Sequence, residues 1–136
     1  MINLYAPDHL TAIICAISCE LGLDEYDADI YVDYENLDDL LGASYGDNEA
    51  VVISLSEELE GELLVYAICH ELVHARQMLS GDLSIDNEIM WRGEDMENVP
   101  YADRPYEHEA YYLETVLVQR LKSLGVPAIP DVFWRY

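Results

Sequence analysis

One helical segment, residues 56–80, constrains the fold of this 136-residue chain more than any other feature. The segment begins with a serine followed by acidic residues, which is typical of a helix N-terminus, and Gly81 follows its end. Because apolar residues occupy several of its faces, we expect a long helix that is largely buried. We therefore predict that the other elements pack around this helix.

The remaining segments predict an α+β fold in one domain that covers residues 1–136. The other predicted elements are a helix from Pro7 to about Glu20, two strands over residues 30–35 and 50–55 with a turn at 46–48, short strands or an irregular hairpin over 82–101, and a helix from Pro105 to Leu124. We expect the two strands to form a small antiparallel sheet against the central helix. The aromatic tail, residues 129–136, is expected to dock on the body of the domain.

The cysteine pattern indicates a reducing compartment. Cys15 and Cys19 lie one turn apart on a predicted helix, and Cys69 precedes a histidine, so the three cysteines form no disulfide framework. The apolar stretch at residues 11–18 is too short to span a bilayer and lacks the basic residues that precede a signal sequence. We expect a cytoplasmic protein that does not associate with membranes.

The formal net charge of -22 is extreme, and no Lys or Arg occurs before Arg76. Direct binding to nucleic acid is disfavoured, because it requires cations that displace the counterions of the phosphates. Three interpretations of the acidity remain open, namely solubility or a salty milieu, steering of basic substrates, and mimicry of a nucleic acid surface. The sequence does not determine the oligomeric state.

The central helix carries the run His70-Glu71-Leu72-Val73-His74. Residues four apart lie on one face of a helix, so His70 and His74 can share one metal ion. Glu71 follows the first histidine by about 100° of rotation, which brings its carboxylate beside the metal without requiring it to coordinate. The pattern predicts a Zn²⁺ site in which Glu71 is the base that deprotonates a water at the metal. The alternative is that both histidines are partly buried and only hydrogen-bonded to neighbours.

A zinc site that leaves one position for water needs a third protein ligand. The start of the last helix offers three candidates, namely Glu107, His108 and Glu109. If the apolar stripe of that helix faces the core, Glu109 projects close to its edge and His108 points away. This stripe consists of Tyr106, Ala110, Leu113, Leu117, Leu121 and Leu124. Glu107 falls near the helix N-terminus, where a carboxylate has a structural use. We prefer Glu109 as the ligand, with Glu107 and then His108 as alternatives.

These motifs resemble those of zincin metallopeptidases of the glutamate-ligand kind, similar to small single-domain peptidases of phage and mobile elements and to the catalytic core of thermolysin-like enzymes. The resemblance rests on the His-Glu-x-x-His helix, the strand before it and Glu109-Ala110 on the later helix. It implies a minimal zincin-like fold and a zinc-dependent endopeptidase with metal ligands His70, His74 and Glu109 and the catalytic residue Glu71. It also implies a protein or peptide substrate that pairs with the sheet edge. Steering by the acidic chain would favour a basic substrate.

One departure leaves other functions open. Thermolysin-like enzymes have an aspartate four residues after the glutamate ligand to orient a histidine, and Leu113 holds that position here. A zinc-stabilised but catalytically silent binding or regulatory module is therefore one alternative. An acidic inhibitor that mimics nucleic acid is another. The residue that stabilises the oxyanion is also open among Arg104, Tyr106, Tyr111 and Tyr112.

Overall fold

The computed structural model describes residues 1–125, and the predicted docking of the aromatic tail lies outside them. Within this part of the chain the fold is α+β, as predicted. The helices are α1 (Asp8–Leu21), α2 (Gly61–Leu79) and α3 (Pro105–Leu124), and the strands are β1 (Ile2–Tyr5), β2 (Ala28–Glu35), β3 (Gly42–Gly46), β4 (Ala50–Ser56), β5 (Leu83–Ser84), β6 (Met90–Trp91) and β7 (Glu94–Asp95). No helix of the described residues has the length and apolar character needed to cross a bilayer.

The main sheet is mixed, which corrects the antiparallel prediction. Its strand order is β1-β2-β4-β3. The predicted strands β2 and β4 pair in parallel, as do β1 and β2, and only the edge strand β3 runs antiparallel to its neighbour β4. The turn at residues 46–48 joins β3 to β4, not β2 to β4. The prediction failed because β3 consists of Gly, Ala, Ser and Tyr and lacks the β-branched residues that indicate a strand.

Alternation along β2 and β4 creates a buried inner face. Ile30 and Val51 are fully buried, and Ile53 is 2% exposed. Helix α2 packs on β3 and β4 and also contacts α1 and α3. The prediction of a central buried helix is thus confirmed, and α2 fixes the position of α3 relative to the edge strand.

The C-terminal ends of all three helices follow the sequence signals, including α2, which ends at Leu79 just before Ser80 and Gly81, whereas the start of α2 does not. Helix α1 ends at Gly22 and α3 ends at Gly125, and both glycines adopt the left-handed conformation expected after a helix. Helix α3 begins with Pro105, as predicted. Helix α2 begins at Gly61 and not near Ser56, because Ser56 is the last residue of β4 and is paired with Glu35 of β2.

Candidate metal centre

Helices α2 and α3 bring two imidazoles and one carboxylate together. His70 Nε2 and His74 Nε2 lie 3.2 Å apart, and Glu107 Oε1 lies 3.2 Å from the first and 3.0 Å from the second. The side chains of His74 and Glu107 are 8% and 12% exposed. The three residues form a group that can hold a metal ion.

The spacing of these atoms suits a small tetrahedral cation. With bonds of about 2.0–2.1 Å and tetrahedral angles, the ligand atoms of a zinc site lie about 3.3 Å apart. The distances of 3.0–3.2 Å between the two nitrogens and the oxygen are close to that value. Three protein ligands leave a fourth position for water or substrate, which is the arrangement of catalytic zinc sites.

Gln77 determines which nitrogen of His74 faces the site. Its amide nitrogen donates to the carbonyl oxygen of Tyr106 at 3.0 Å, so its amide oxygen must be the atom that lies 2.7 Å from His74 Nδ1. An amide oxygen only accepts hydrogen bonds, so Nδ1 carries a proton. In the neutral imidazole, Nε2 of His74 then presents a lone pair to the site.

Glu114 has the same effect on His70. Its Oε1 lies 3.5 Å from His70 Nδ1, and the ring of Tyr111 packs against the imidazole with centroids 4.6 Å apart. An acid thus lies beside His70, although Leu113, the position that the sequence analysis considered for it, carries none. With both Nδ1 atoms protonated, two imidazole lone pairs and a carboxylate oxygen converge on one point, an arrangement that a cation stabilises.

Electrostatics around the three residues also favour a positive charge. Burial lowers the pKa of His70, but hydrogen bonds to Glu107 and Glu114 and the charge of Glu71 outweigh burial and raise the pKa to about 9. Burial raises the pKa of Glu107, but hydrogen bonds and charges of the two histidines outweigh it and lower the pKa to about 2. Without a metal, the site therefore attracts protons to its imidazoles near neutral pH.

Glu71 lies in the same cavity but is not one of the three converging residues. It is 6% exposed, and Ser44 of the edge strand hydrogen-bonds to its carboxylate. Burial raises its pKa, while the two histidines and Ser44 lower it, and burial prevails. Gly42 allows this close approach, because a Cβ there would lie 3.1 Å from Glu71 Cγ. A buried carboxylate with a raised pKa is suited to accept a proton near neutral pH.

The structure brings Glu107, and not the preferred Glu109, to the histidines. Glu109 instead accepts a hydrogen bond of 3.0 Å from the Gln77 amide. The prediction placed Leu124 in the buried stripe of α3, whereas Leu124 is 46% exposed and Val118 is fully buried. Compared with the predicted stripe, the observed buried stripe is therefore rotated toward Glu107, which lies about 100° after Tyr106 on the helix.

The other predicted candidates have structural partners. His108 is exposed and its Nε2 contacts the carbonyl oxygen of Ala102. Arg104 donates to the carbonyl oxygen of Val99 and to the Tyr106 hydroxyl, both at 2.9 Å, and so fixes the entry to α3. Burial raises the pKa of the Cys69 thiol, which favours its protonated form.

A cavity of about 780 Å³ opens over the histidines between the edge strand, α2 and α3. Tyr101 lines this cavity, and its hydroxyl lies 3.2 Å from that of Tyr111 and also hydrogen-bonds to Glu107. Burial, and then the hydrogen bond with Tyr111, raises the pKa of Tyr101, which keeps it a donor. Sequence reasoning missed Tyr101 because it lies in a short 3₁₀ helix, Tyr101–Asp103, before α3, where no periodic pattern assigns it to the site.

No protein-family model matches the sequence, and neither curated proteins nor solved structures show significant similarity to this chain. The functional interpretation therefore depends on the geometry of the site.

Proposed function

We propose that this protein is a zinc-dependent metallopeptidase that hydrolyses peptide bonds, with Glu71 as the general base. One arrangement supports this function above all. His70, His74 and Glu107 converge at 3.0–3.2 Å, with the buried carboxylate of Glu71 in the same open cavity. Three ligands with a free position and a neighbouring unligated carboxylate are the donor set of hydrolytic zinc sites.

A zinc ion held by these residues supplies Lewis acidity toward the scissile carbonyl and lowers the pKa of water beside it. Glu71 accepts a proton from the attacking water as the new carbon–oxygen bond forms. It then delivers this proton to the leaving amine as the carbon–nitrogen bond breaks, so no proton is left over. Its raised pKa suits both transfers, because a base that is too weak would not accept the proton and one that is too strong would not release it.

Tyr101 and Tyr111 are the hydroxyl donors best situated to stabilise the oxyanion. Both line the cavity, and their hydroxyl groups lie 3.2 Å apart next to the ligand Glu107. Tyr106 is 5% exposed and its hydroxyl accepts from Arg104, whereas Tyr112 is 70% exposed on α3. Removal of one oxyanion donor costs about 10²–10³ in kcat in a well-studied protease. Of the two hydroxyls, we assign the stabilisation of the oxyanion to Tyr101 first.

The test of the proposed function is cleavage of an unfolded, fluorescently labelled protein by the zinc-loaded chain. Glu71→Gln is expected to lower kcat by about 10²–10⁴ while zinc remains bound at one ion per chain, because Glu71 transfers protons and does not coordinate. Glu58→Gln is the matched control, since Glu58 is an exposed glutamate before α2. It should leave both cleavage and zinc content unchanged.

The same measurements separate the proposed function from its alternatives. Equal cleavage by Glu71→Gln and the unaltered protein would refute the role of Glu71. Bound zinc without cleavage of any unfolded substrate would favour the zinc-stabilised binding module. A tight complex with a basic protein that persists in His70→Ala/His74→Ala, together with no cleavage by the zinc-loaded unaltered chain, would favour the acidic inhibitor.

A further inference from the structure

The outer face of the main sheet, opposite α2, carries a row of tyrosines. Tyr5 pairs with Tyr31, Tyr31 with Val52, and Val52 with Tyr45, so one side chain from each of the four strands contributes to the row. Tyr5, Tyr31 and Tyr45 are 53%, 42% and 64% exposed. Because neighbouring strands lie about 4.8 Å apart, the row is about 14 Å long. We call these four residues the tyrosine row.

A parallel sheet with an exposed face is unusual, because parallel strands are normally covered on both sides. Strands β1, β2 and β4 are parallel, and α2 and its neighbours cover their inner face. The exposed fractions of Tyr5 and Tyr31 show that no element among residues 1–125 covers the outer face at this row. The rings of Tyr5 and Tyr31 are stacked, with centroids 4.9 Å apart and planes 12° apart, so they form a flat aromatic platform.

Two carboxylates flank this platform. Asp29 and Asp33 precede and follow Tyr31 by two residues on β2, so both are on the outer face about 6.6 Å from it along the strand. The Asn3 amide donates to Asp29, and the backbone N–H of Tyr34 donates to Asp33, which orients both carboxylates. No Lys or Arg precedes Arg76, so all four strands of the sheet are free of basic side chains.

The combination of flat rings and adjacent carboxylates matches one side chain in particular. A guanidinium stacks on an aromatic face and can pair with a carboxylate at the same time, whereas an ammonium is a compact, strongly hydrated charge. A second copy of this chain is a poor occupant, because each copy has a formal charge of -22 and the two would repel each other.

We propose that the tyrosine row, with Asp29 and Asp33, binds an arginine-containing basic segment of a partner protein. Arginine side chains stack on Tyr31 and its neighbours and form ion pairs with the two aspartates. The site is on the opposite side of the sheet from the metal centre and does not depend on the proposed peptidase activity. It also gives the acidity of the first 75 residues a specific recognition role.

Fluorescence anisotropy of a labelled Arg-Gly repeat peptide with the full chain tests this proposal, with a chelator present so that zinc-dependent cleavage does not interfere. At about 50 mM salt, where charges are only partly screened, we expect saturable binding. A Lys-Gly peptide of equal length and charge should bind about threefold more weakly or worse. Tyr31→Leu should weaken binding of the Arg-Gly peptide about threefold to tenfold, because it keeps apolar area but removes the ring.

Tyr112→Leu is the matched control, since Tyr112 is a 70% exposed tyrosine on α3, away from the sheet, and it should change the affinity less than about twofold. Equal affinities for the two peptides, together with no effect of Tyr31→Leu, would overturn the proposal and leave only attraction by net charge. Self-association of the peptide-free chain in sedimentation experiments would overturn it in favour of a second copy.

If Tyr31→Leu fails to fold, amide shifts of the unaltered protein provide the test. Titration with the Arg-Gly peptide should move the signals of β2 and β4 and leave those of α3 in place. Shifts confined to the metal-site cavity would overturn the proposal, because they would assign the peptide to the cavity instead of the tyrosine row.

Discussion

Replacing Gln77 with methionine tests whether the metal centre depends on a residue that binds no metal. Gln77 is 2% exposed and holds His74 Nδ1 through its amide oxygen at 2.7 Å. Its amide nitrogen connects α2 to α3 by donating to the Tyr106 carbonyl and to Glu109. Methionine has nearly the same length and volume, so Gln77→Met removes these hydrogen bonds and leaves the cavity filled.

Two free energies should change, and both can be estimated. Loss of a partner that orients a ligating histidine typically lowers metal affinity 10-fold to 100-fold, which corresponds to about 1.4–2.7 kcal/mol of binding free energy. Buried groups left without their partner lower the free energy of unfolding by about 1–3 kcal/mol. The histidine keeps its position on the helix in this variant, so zinc should still bind, only more weakly.

Competition of the protein with a chromophoric chelator gives the zinc affinity, and urea unfolding with excess chelator gives the metal-free stability. Gln119→Met is the matched control, since Gln119 is exposed on α3 and the substitution is the same. An affinity of Gln77→Met within about twofold of the unaltered protein would refute the role assigned to Gln77. Loss of stability without loss of affinity would assign Gln77 only to the contact between the helices.

Four further outcomes follow from the structure. Zinc affinity should rise with pH up to about 9, since His70 with its pKa of about 9 must release a proton to bind, and calorimetry in two buffers measures that release. In the metal-free protein, the interactions that raise the pKa of His70 contribute fully to the free energy of unfolding below pH 6.5. This contribution is lost as the pH rises through 9. The interactions that lower the pKa of Glu107 stabilise the fold above pH 4.5, and this contribution is lost toward pH 2. Urea unfolding at a series of pH values should show the loss of stability at high pH and the loss at low pH. Gly42→Ala should reduce cleavage but retain zinc, because the new Cβ would lie 3.1 Å from Glu71 Cγ, and unchanged kcat would contradict this. Leu121→Ala, at 1% exposure, should lower the free energy of unfolding by about 2–5 kcal/mol, and a change below about 1 kcal/mol would show that the contact of α3 with the core is loose.

Local signals were sufficient to predict the helices and the centre of the site. The glycines after α1 and α3, and Pro105 at the start of α3, are boundary signals that depend only on backbone geometry. Likewise, the four-residue spacing of His70 and His74 puts both side chains on one face of the helix, where their Nε2 atoms can approach to the observed 3.2 Å.

Features that depend on tertiary contacts could not be predicted in this way. Strand β3 lies between β2 and β4 in sequence but joins the sheet at its edge, beside β4. This placement leaves β2 and β4 to pair in parallel, and no local pattern determines the strand order. The choice of Glu107 over Glu109 depends on a rotation of α3 that Val118 determines by packing on the core, whereas Leu124 stays exposed. The roles of Gln77 and Glu114 in orienting the histidines could not be predicted either, because both depend on the contact between α2 and α3.

Diffraction at the zinc absorption edge from crystals grown with zinc tests the central claim most directly. A single anomalous peak about 2.0–2.2 Å from His70 Nε2, His74 Nε2 and a Glu107 carboxylate oxygen is the predicted result. A peak bound by Glu109 in place of Glu107, or no peak between the two histidines, would contradict the metal centre described above.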